Sequence, residues 1–142
     1  MNTQIQQIDQ DERPPIVVAE EDFDALSDVA ERLRTVMPEV ADFLDEELTR
    51  ADILPLKRVP SDVVTMNSEV EFLMGPRGRV DRLRLVYPGD HTVDAGCVSI
   101  ASPVGVALLG LKPGQTISWS SRHGDLRSVK VLKLISRQAP EA

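Results

Sequence analysis

The sequence predicts an α+β chain: a short N-terminal antiparallel helical hairpin, then an antiparallel sheet half-wrapped around one short helix. Three observations predict it. Apolar residues recur at three- and four-residue spacing from Phe23 to Met37 and again from Ala41 to Ala51, the period of a helix face. Beyond Pro60 the period switches to two, the period of a strand. Among the strands lies Ser102-Pro103-Val104-Gly105-Val106-Ala107-Leu108-Leu109-Gly110, an uncharged stretch with a helix start at one end and a helix stop at the other.

In chain order, residues 1–15 lack apolar periodicity and are rich in polar and acidic side chains, so they read as a disordered tail. Residues 16–55 are assigned to the hairpin and 56–142 to the sheet domain. Ile16-Val17-Val18 is a short extended segment expected to pack on the sheet domain and to fix how the first helix leaves. That helix is expected from about Glu20 to Val36, with Phe23, Leu26, Ala30, Leu33 and Met37 as its stripe. Glu20, Glu21 and Asp22 favour its positive end, and Arg32 and Arg34 its negative end. Ala19 stands where an N-cap belongs, so the entry is poorly capped. Pro38 ends the run and restarts a second helix at its first position, continuing to about Ala51. Two stripes joined by a few residues make an antiparallel hairpin, whose arms project roughly 20–25 Å at 1.5 Å per residue.

Asp52 to Pro60 is expected to be a linker, because Pro55 and Pro60 stop a helix. Val63 to Met66 reads as a first short strand. Glu69 to Met74 alternates, with Val70, Phe72 and Met74 inward. Gly75-Pro76-Arg77-Gly78 is a turn, and Val80 to Tyr87 returns as the second arm of a hairpin with one wet face. Gly96 to Ile100 leads into the short helix, Gln115 to Ser120 follows it, and Arg127 to Ile135 closes the sheet after a turn at His123-Gly124-Asp125.

The short helix carries the most explicit signals. Ser102 is a good N-cap, Pro103 suits the first helical position, and Gly110 can close the helix in the left-handed conformation. A helix of about two turns that is apolar nearly all round must be buried on most sides.

Composition narrows the function. Hydrophobic residues make up 42% of the 142, enough for a core, but only five are aromatic, which argues against an aromatic-lined pocket or a base-stacking platform. The single Cys97 excludes an internal disulfide and a multi-cysteine zinc site; its apolar neighbours make it a small core side chain on a buried strand. Neither a signal peptide nor an apolar run of membrane length is visible, so a cytoplasmic protein is expected. The net charge of −7 is split unevenly: residues 1–52 hold 15 acidic and 4 basic side chains, residues 53–142 hold 8 and 12. The acidic part repels phosphate and the basic surplus is scattered, which argues against direct nucleic-acid binding.

Val98-Ser99-Ile100-Ala101-Ser102-Pro103-Val104-Gly105-Val106-Ala107-Leu108-Leu109-Gly110-Leu111 resembles the C-terminal domain of Gre-type (GreA/GreB) transcription elongation factors. Asp62-Val63-Val64-Thr65-Met66-Asn67-Ser68 and Leu85-Val86-Tyr87-Pro88 narrow the likeness to the shorter Rnk-like group, whose name stands for regulator of nucleoside diphosphate kinase. The likeness runs from about Ile16 to Leu134. It implies an FKBP-like sheet domain, a coiled-coil stub in place of a long coiled coil, and RNA polymerase as partner. Through it, the helix start at Ser102 and Pro103 and the adjoining sheet face become the docking surface. Ser102, Asp90 and Lys112 are the candidate contacts, and Pro103 is structural. The implied function is a regulator that docks near the secondary channel without stimulating transcript cleavage. The second reading is a regulator of nucleoside diphosphate kinase or nucleotide pools, acting through a protein partner and touching the kinase only indirectly.

No catalytic constellation, cofactor motif or metal-ligand spacing stands out, so the chain is not read as an enzyme. His91 and His123 lie in polar turns and are read as solvated. Asp90 and Asp94 have nothing near them to complete a metal site. The hairpin tip comprises Arg34, Met37, Pro38, Glu39 and Asp42. In Gre factors acidic residues at the tip help to hold a metal ion in the polymerase active centre. Here Arg34 to Pro38 is basic and apolar, and the cluster Glu39, Asp42, Asp45, Glu46 and Glu47 is read as a solvated helix face. Isomerase activity is not expected from the implied fold, because two of the five aromatics lie in the hairpin. Trp119, in phase with Ile117, is expected to pack in the core under the sheet.

Overall fold

The computed structural model describes residues 13–89, 96–121 and 124–137. Asp90, His91, Asp94 and His123 lie outside the described residues, as do residues 1–12. Strand β1 (Val17–Ala19) leads into helix α1 (Glu20–Val36), which is followed by α2 (Pro38–Arg50) and strand β2 (Asp52–Leu54). A 3-10 turn at Leu56–Arg58 precedes β3 (Ser68–Gly75) and β4 (Arg79–Val86). Then come β5 (Cys97–Ser99), α3 (Pro103–Leu108), β6 (Thr116–Ser120) and β7 (Leu126–Arg137).

The helices form where the stripes place them. Leu26, Val29, Ala30 and Leu33 of α1 are buried, facing Val40, Ala41, Leu44 and Leu48 of α2. Neither helix has a side-chain cap: Ala19 and Met37 stand at the two N-cap positions and make no capping bond. Met37 alone joins the two helices. Its N–H donates to the Leu33 carbonyl at 2.7 Å and its carbonyl accepts from Ala41 at 3.0 Å, while Pro38 opens α2 without an amide to satisfy.

Asp52–Leu54 is a strand rather than part of a linker. It pairs in parallel with β1, Val17 opposite Asp52 and Ala19 opposite Leu54. A three-residue strand whose own side chains are exposed or half-buried leaves no periodic trace in sequence. Val63–Met66, expected to be a strand, is instead an irregular buried segment. The Thr65 N–H donates to the Ser68 hydroxyl at 3.0 Å and Asn67 takes a left-handed φ of 72°. A side chain that captures a backbone donor competes with strand pairing. Val64 still exchanges backbone bonds with Gly110 and Leu111, both at 2.9 Å.

The main sheet has the order β5-β4-β3-β7-β6. It is antiparallel except at one edge, where β5 runs parallel to β4 with Leu85 opposite Val98, so the sheet is mixed where an antiparallel one was expected. Two register shifts between β3 and β7, at Glu69/Val70 and Glu71/Phe72, give the extra twist that curls a sheet. Because β5 is an edge strand, Cys97 is only half-buried and is not the core side chain expected.

Inside the curl sits α3. Gly105, Val106, Ala107 and Leu108 are buried. The Ser102 hydroxyl accepts the Gly105 N–H at 3.2 Å and donates to the Ser99 carbonyl at 2.7 Å. Gly105 leaves no room for a Cβ, which would overlap the Ser99 carbonyl oxygen. Gly110 closes the helix at φ 84°, and a Cβ there would stand 2.7 Å from the Ile16 Cβ. Ile16 therefore packs against the exit of α3, and the Val17 N–H reaches the Gly110 carbonyl. One continuous core results, joining Ile16, Leu26 and Leu44 to Phe72, Leu108, Ile117 and Val131.

Candidate functional site: hairpin tip and interdomain groove

The apex of the hairpin is apolar and open. Val36 is 70% and Met37 40% exposed, and Pro38 stands exposed beside them. Below the apex, Arg34 pairs with Glu31 at 3.2 Å on its own helix and with Asp45 on α2. These bonds hold Arg34 protonated beyond its ordinary range, Asp45 contributing most, and they lace the two arms together. At the base, Tyr87 of the sheet domain donates to Asp22 at 3.2 Å. Burial is the largest influence on that carboxyl and raises its pKa above the ordinary value; the Tyr87 bond acts the other way.

Glu39, exposed next to Pro38, and Asp42 one turn on lie just behind the apex. They line a groove of about 320 Å³ on the side of α2, with Phe43, Pro103, Trp119 and Arg13 among the other walls. The groove exists because α2 lies against the start of α3 and the end of β6. Trp119 is half-buried and faces Phe43, ring centroids 5.8 Å apart and tilted by 38°. Its expected place in the core under the sheet is thus only partly met: in phase with Ile117, it lies two residues further along an edge strand, where the core ends and α2 begins.

Arg13 closes the other end. Its guanidinium lies 5.4 Å from the Phe43 ring centroid and bonds Glu46 at 3.1 Å and Glu47 at 3.0 Å. Glu47 is fully buried and also takes two bonds from Arg50, at 3.0 and 2.7 Å. Arg50 then donates to the Pro14 carbonyl at 2.6 Å. A buried carboxylate survives because it is paired and fully hydrogen-bonded. Two expectations change here. Glu47 is no part of a solvated face, and the segment read as a tail already makes specific contacts from Arg13 onward.

The candidate residues thus fall into three places. Met37 and Pro38 form the apex, with Arg34 just below it. Glu39, Asp42 and Pro103 share the groove, while the Ser102 side chain is engaged in capping. Lys112 is exposed on the turn after α3, where its backbone N–H donates to Gln115 at 3.0 Å. Asp90 lies outside the described residues. No group of three or more His, Cys, Asp or Glu side chains stands close enough to hold a metal ion among the described residues. Among them, too, no helix is long and apolar enough to cross a membrane.

Comparison with known proteins agrees with this architecture. Residues 59–136 match the family model described as Transcription elongation factor, GreA/GreB, C-term, and residues 14–54 match the Rnk N-terminus. The regulator of nucleoside diphosphate kinase of Escherichia coli K12 is 37% identical over 130 residues, 92% of this chain and 94% of that protein. Transcription elongation factor GreA of Acidiphilium cryptum is 24% identical across 93% of this chain and 88% of its own. Among solved structures, a prokaryotic transcription elongation factor GreA/GreB from Nitrosomonas europaea superposes with a TM-score of 0.67 at 35% identity, covering 87% of this chain and all of that one. A sheet domain and a hairpin that each match a model of this group, in this order, place the chain in the GreA/GreB transcription elongation factor family, in its Rnk-like branch.

Proposed function

We propose that the chain is a non-catalytic regulator that binds RNA polymerase near its secondary channel and does not stimulate transcript cleavage. The observation that carries this reading is the apex of the hairpin. It presents Val36 and Met37, while the nearest carboxylates, Glu39 and Asp42, line a groove on its side. Metal-assisted hydrolysis needs carboxylate oxygens about 2.0–2.6 Å from an ion, at the end of an arm that reaches it. The longer arm here, 17 residues, spans only about 25 Å. An apolar apex at that height suits occupation of an entrance, excluding other factors that use it. Ser102 and Lys112, with Asp90, are the proposed contacts of the sheet domain, Pro103 fixes the helix start among them as its first residue, and the polymerase subunits are the partner.

The test adds purified protein to a backtracked elongation complex. The RNA length is expected to stay unchanged, and rescue by a cleavage factor to slow with increasing protein. Shortened RNA that disappears in the Glu39→Ala/Asp42→Ala variant would overturn the reading. Charge reversal at Lys112 or Asp90 is expected to weaken polymerase binding with little effect on melting; unchanged binding in both moves the interface elsewhere.

A second reading rests on the printed name of the Escherichia coli relative: an action through nucleoside diphosphate kinase or nucleotide pools. Co-purification separates the two. Polymerase core subunits support the first, and recovery of the kinase without polymerase replaces it with the second.

A further inference from the structure

A second cleft, larger than the groove, opens one strand away from it, where Arg127 of β7 lies opposite Trp119 of β6. It has a volume of about 580 Å³ and lies between the β3–β4 turn and the start of β7. Arg77, Arg79 and Arg127 supply its charge; Met74, Pro76 and Leu126 supply apolar wall. Strand register explains the grouping, since Met74 lies opposite both Arg79 and Val129, and Arg127 follows two residues before Val129 on the same face.

Among the described residues, two arginines of the cleft lack the carboxylate partner that the arginines of β4 have. Arg79 pairs with Asp81 at 3.0 Å, Arg82 with Glu71 at 3.7 Å and Arg84 with Glu69 at 3.5 Å. Arg77 and Arg127 have no carboxylate partner among the described residues. Asp125 is the one acidic side chain in the lining, so the cleft is left with a positive surplus in a chain whose net charge is −7. Leu126 adds a second anomaly: at 64% it is the most exposed large hydrophobic residue of the described sheet domain.

Unpaired guanidiniums beside an exposed aliphatic side chain match the chemistry of a protein-docking surface. Arginine is enriched at such interfaces and holds a carboxylate through two parallel N–H bonds. Nucleic acid fits less well. The lining itself contains no aromatic side chain on which a base could stack; Trp119, opposite Arg127, is already engaged by Phe43, and Asp125 repels a phosphate backbone. We infer that this cleft docks an acidic segment of a protein partner, with carboxylates on Arg77 and Arg127 and an aliphatic side chain against Met74, Pro76 and Leu126. The site shares no lining residue with the groove beside Ser102 and Pro103, although Arg127 lies directly opposite Trp119 of that groove; the peptide assay reads it with no polymerase present.

The experiment uses the full chain and a fluorescently labelled peptide of alternating glutamate and leucine, followed by anisotropy. Binding is expected to be salt-sensitive and to fall about tenfold or more in Arg77→Glu/Arg127→Glu, as for a lost charge-assisted pair. The same charge change at Lys133→Glu, on the opposite sheet face, is expected to alter it less than about twofold, since exposed charges more than a Debye length apart are largely screened. A peptide with alanine in place of leucine is expected to bind several-fold more weakly. The milder Arg77→Gln/Arg127→Gln pair, checked by circular dichroism, repeats the test should the reversal disturb folding. Equal loss in Lys133→Glu would reduce the effect to general charge attraction and overturn the site. Equal binding of the alanine peptide overturns the apolar wall. A single-stranded oligonucleotide that binds more tightly than the peptide and is lost in the same variants replaces the protein partner with nucleic acid. A rise in peptide affinity in Asp9→Asn/Asp11→Asn/Glu12→Gln assigns the cleft to the chain's own acidic N-terminal segment instead.

Discussion

The hairpin helices and the six-residue helix α3 solve the same problem by opposite means. α1 and α2 are 17 and 13 residues long and begin without a side-chain cap. They rest on a shared apolar seam, first-turn carboxylates, Arg34 across the arms and the Arg13–Glu47–Arg50 clamp at the base. α3 has no charged residue at all. It depends on one hydroxyl at its start, a left-handed glycine after its end, and contact with its neighbours so close that Gly105 has no space for a methyl group. A long helix can spread its stability over many weak terms. A helix of under two turns cannot, because nucleation costs are not recovered within it, and each remaining device matters more.

That contrast can be broken most directly by cutting the chain. A fragment of residues 56–142 is expected to keep its strand signal in circular dichroism, though weakened by the loss of Ile16 from the exit of α3. Residues 16–55 alone are expected to be only partly helical, since short isolated helices are marginal in water. A fully helical hairpin fragment would show that its own seam suffices. Within the intact chain the largest single effect is expected at Gly105→Ala. Overpacking against the Ser99 carbonyl has only backbone to displace, and a loss of about 3 kcal/mol or more is expected, read as the midpoint of urea unfolding. Next comes Glu47→Ala, which strands two arginines at the base. Because both are partly solvated, a loss of about 2–3 kcal/mol is expected, below the 3–5 typical of a wholly buried pair. A loss smaller than that of a cap would mean the clamp only orients the segment from Arg13. Ser102→Ala is expected to cost about 1 kcal/mol, and Ser102→Asn to recover most of it.

The smallest effect sharpens the comparison through pH. Burial holds the Asp22 carboxyl above its ordinary pKa in the folded chain, so the folded state binds its proton more tightly than the unfolded one. The stability this contributes is present below the unfolded pKa and is lost as pH rises through the folded value. Asp22→Asn keeps an oxygen to accept from Tyr87 and is expected to flatten that part of the stability–pH curve. An unchanged slope would assign the dependence to other carboxylates.

How much of this was legible in the sequence follows from the range of the interactions. The bounds of α1, the Met37 joint and both ends of α3 are written in neighbouring residues: a stripe, a proline, a serine and a glycine. The β1–β2 pairing joins residues 35 apart, and neither partner carries a pattern that names the other. The same holds for Arg13 and Glu47. Glu47 lies among four other carboxylates on α2, and only the position of Arg13 and Arg50 in space separates the buried one from its exposed neighbours. Val63–Met66 misled for a local reason, since Ser68 captures the donor that a strand would have used. Of the site, the apolar apex and the N1 role of Pro103 were readable. The groove between Trp119 and Phe43 was not, because it is made by two elements that meet only after folding.

Strands β1 and β2 lie side by side in parallel at the foot of the hairpin, Val17 against Asp52 and Val18 against Ile53. The chain therefore leaves for the arm and returns from it through one narrow gate. Everything between these strands can change in length without moving the gate. Seven residues added to each arm would raise the apex by about 10 Å while keeping its seam in phase, and removing them would lower it by the same amount. The reach of such a protein is thus an adjustable quantity, set by counting heptads, on a platform that does not need to be redesigned each time.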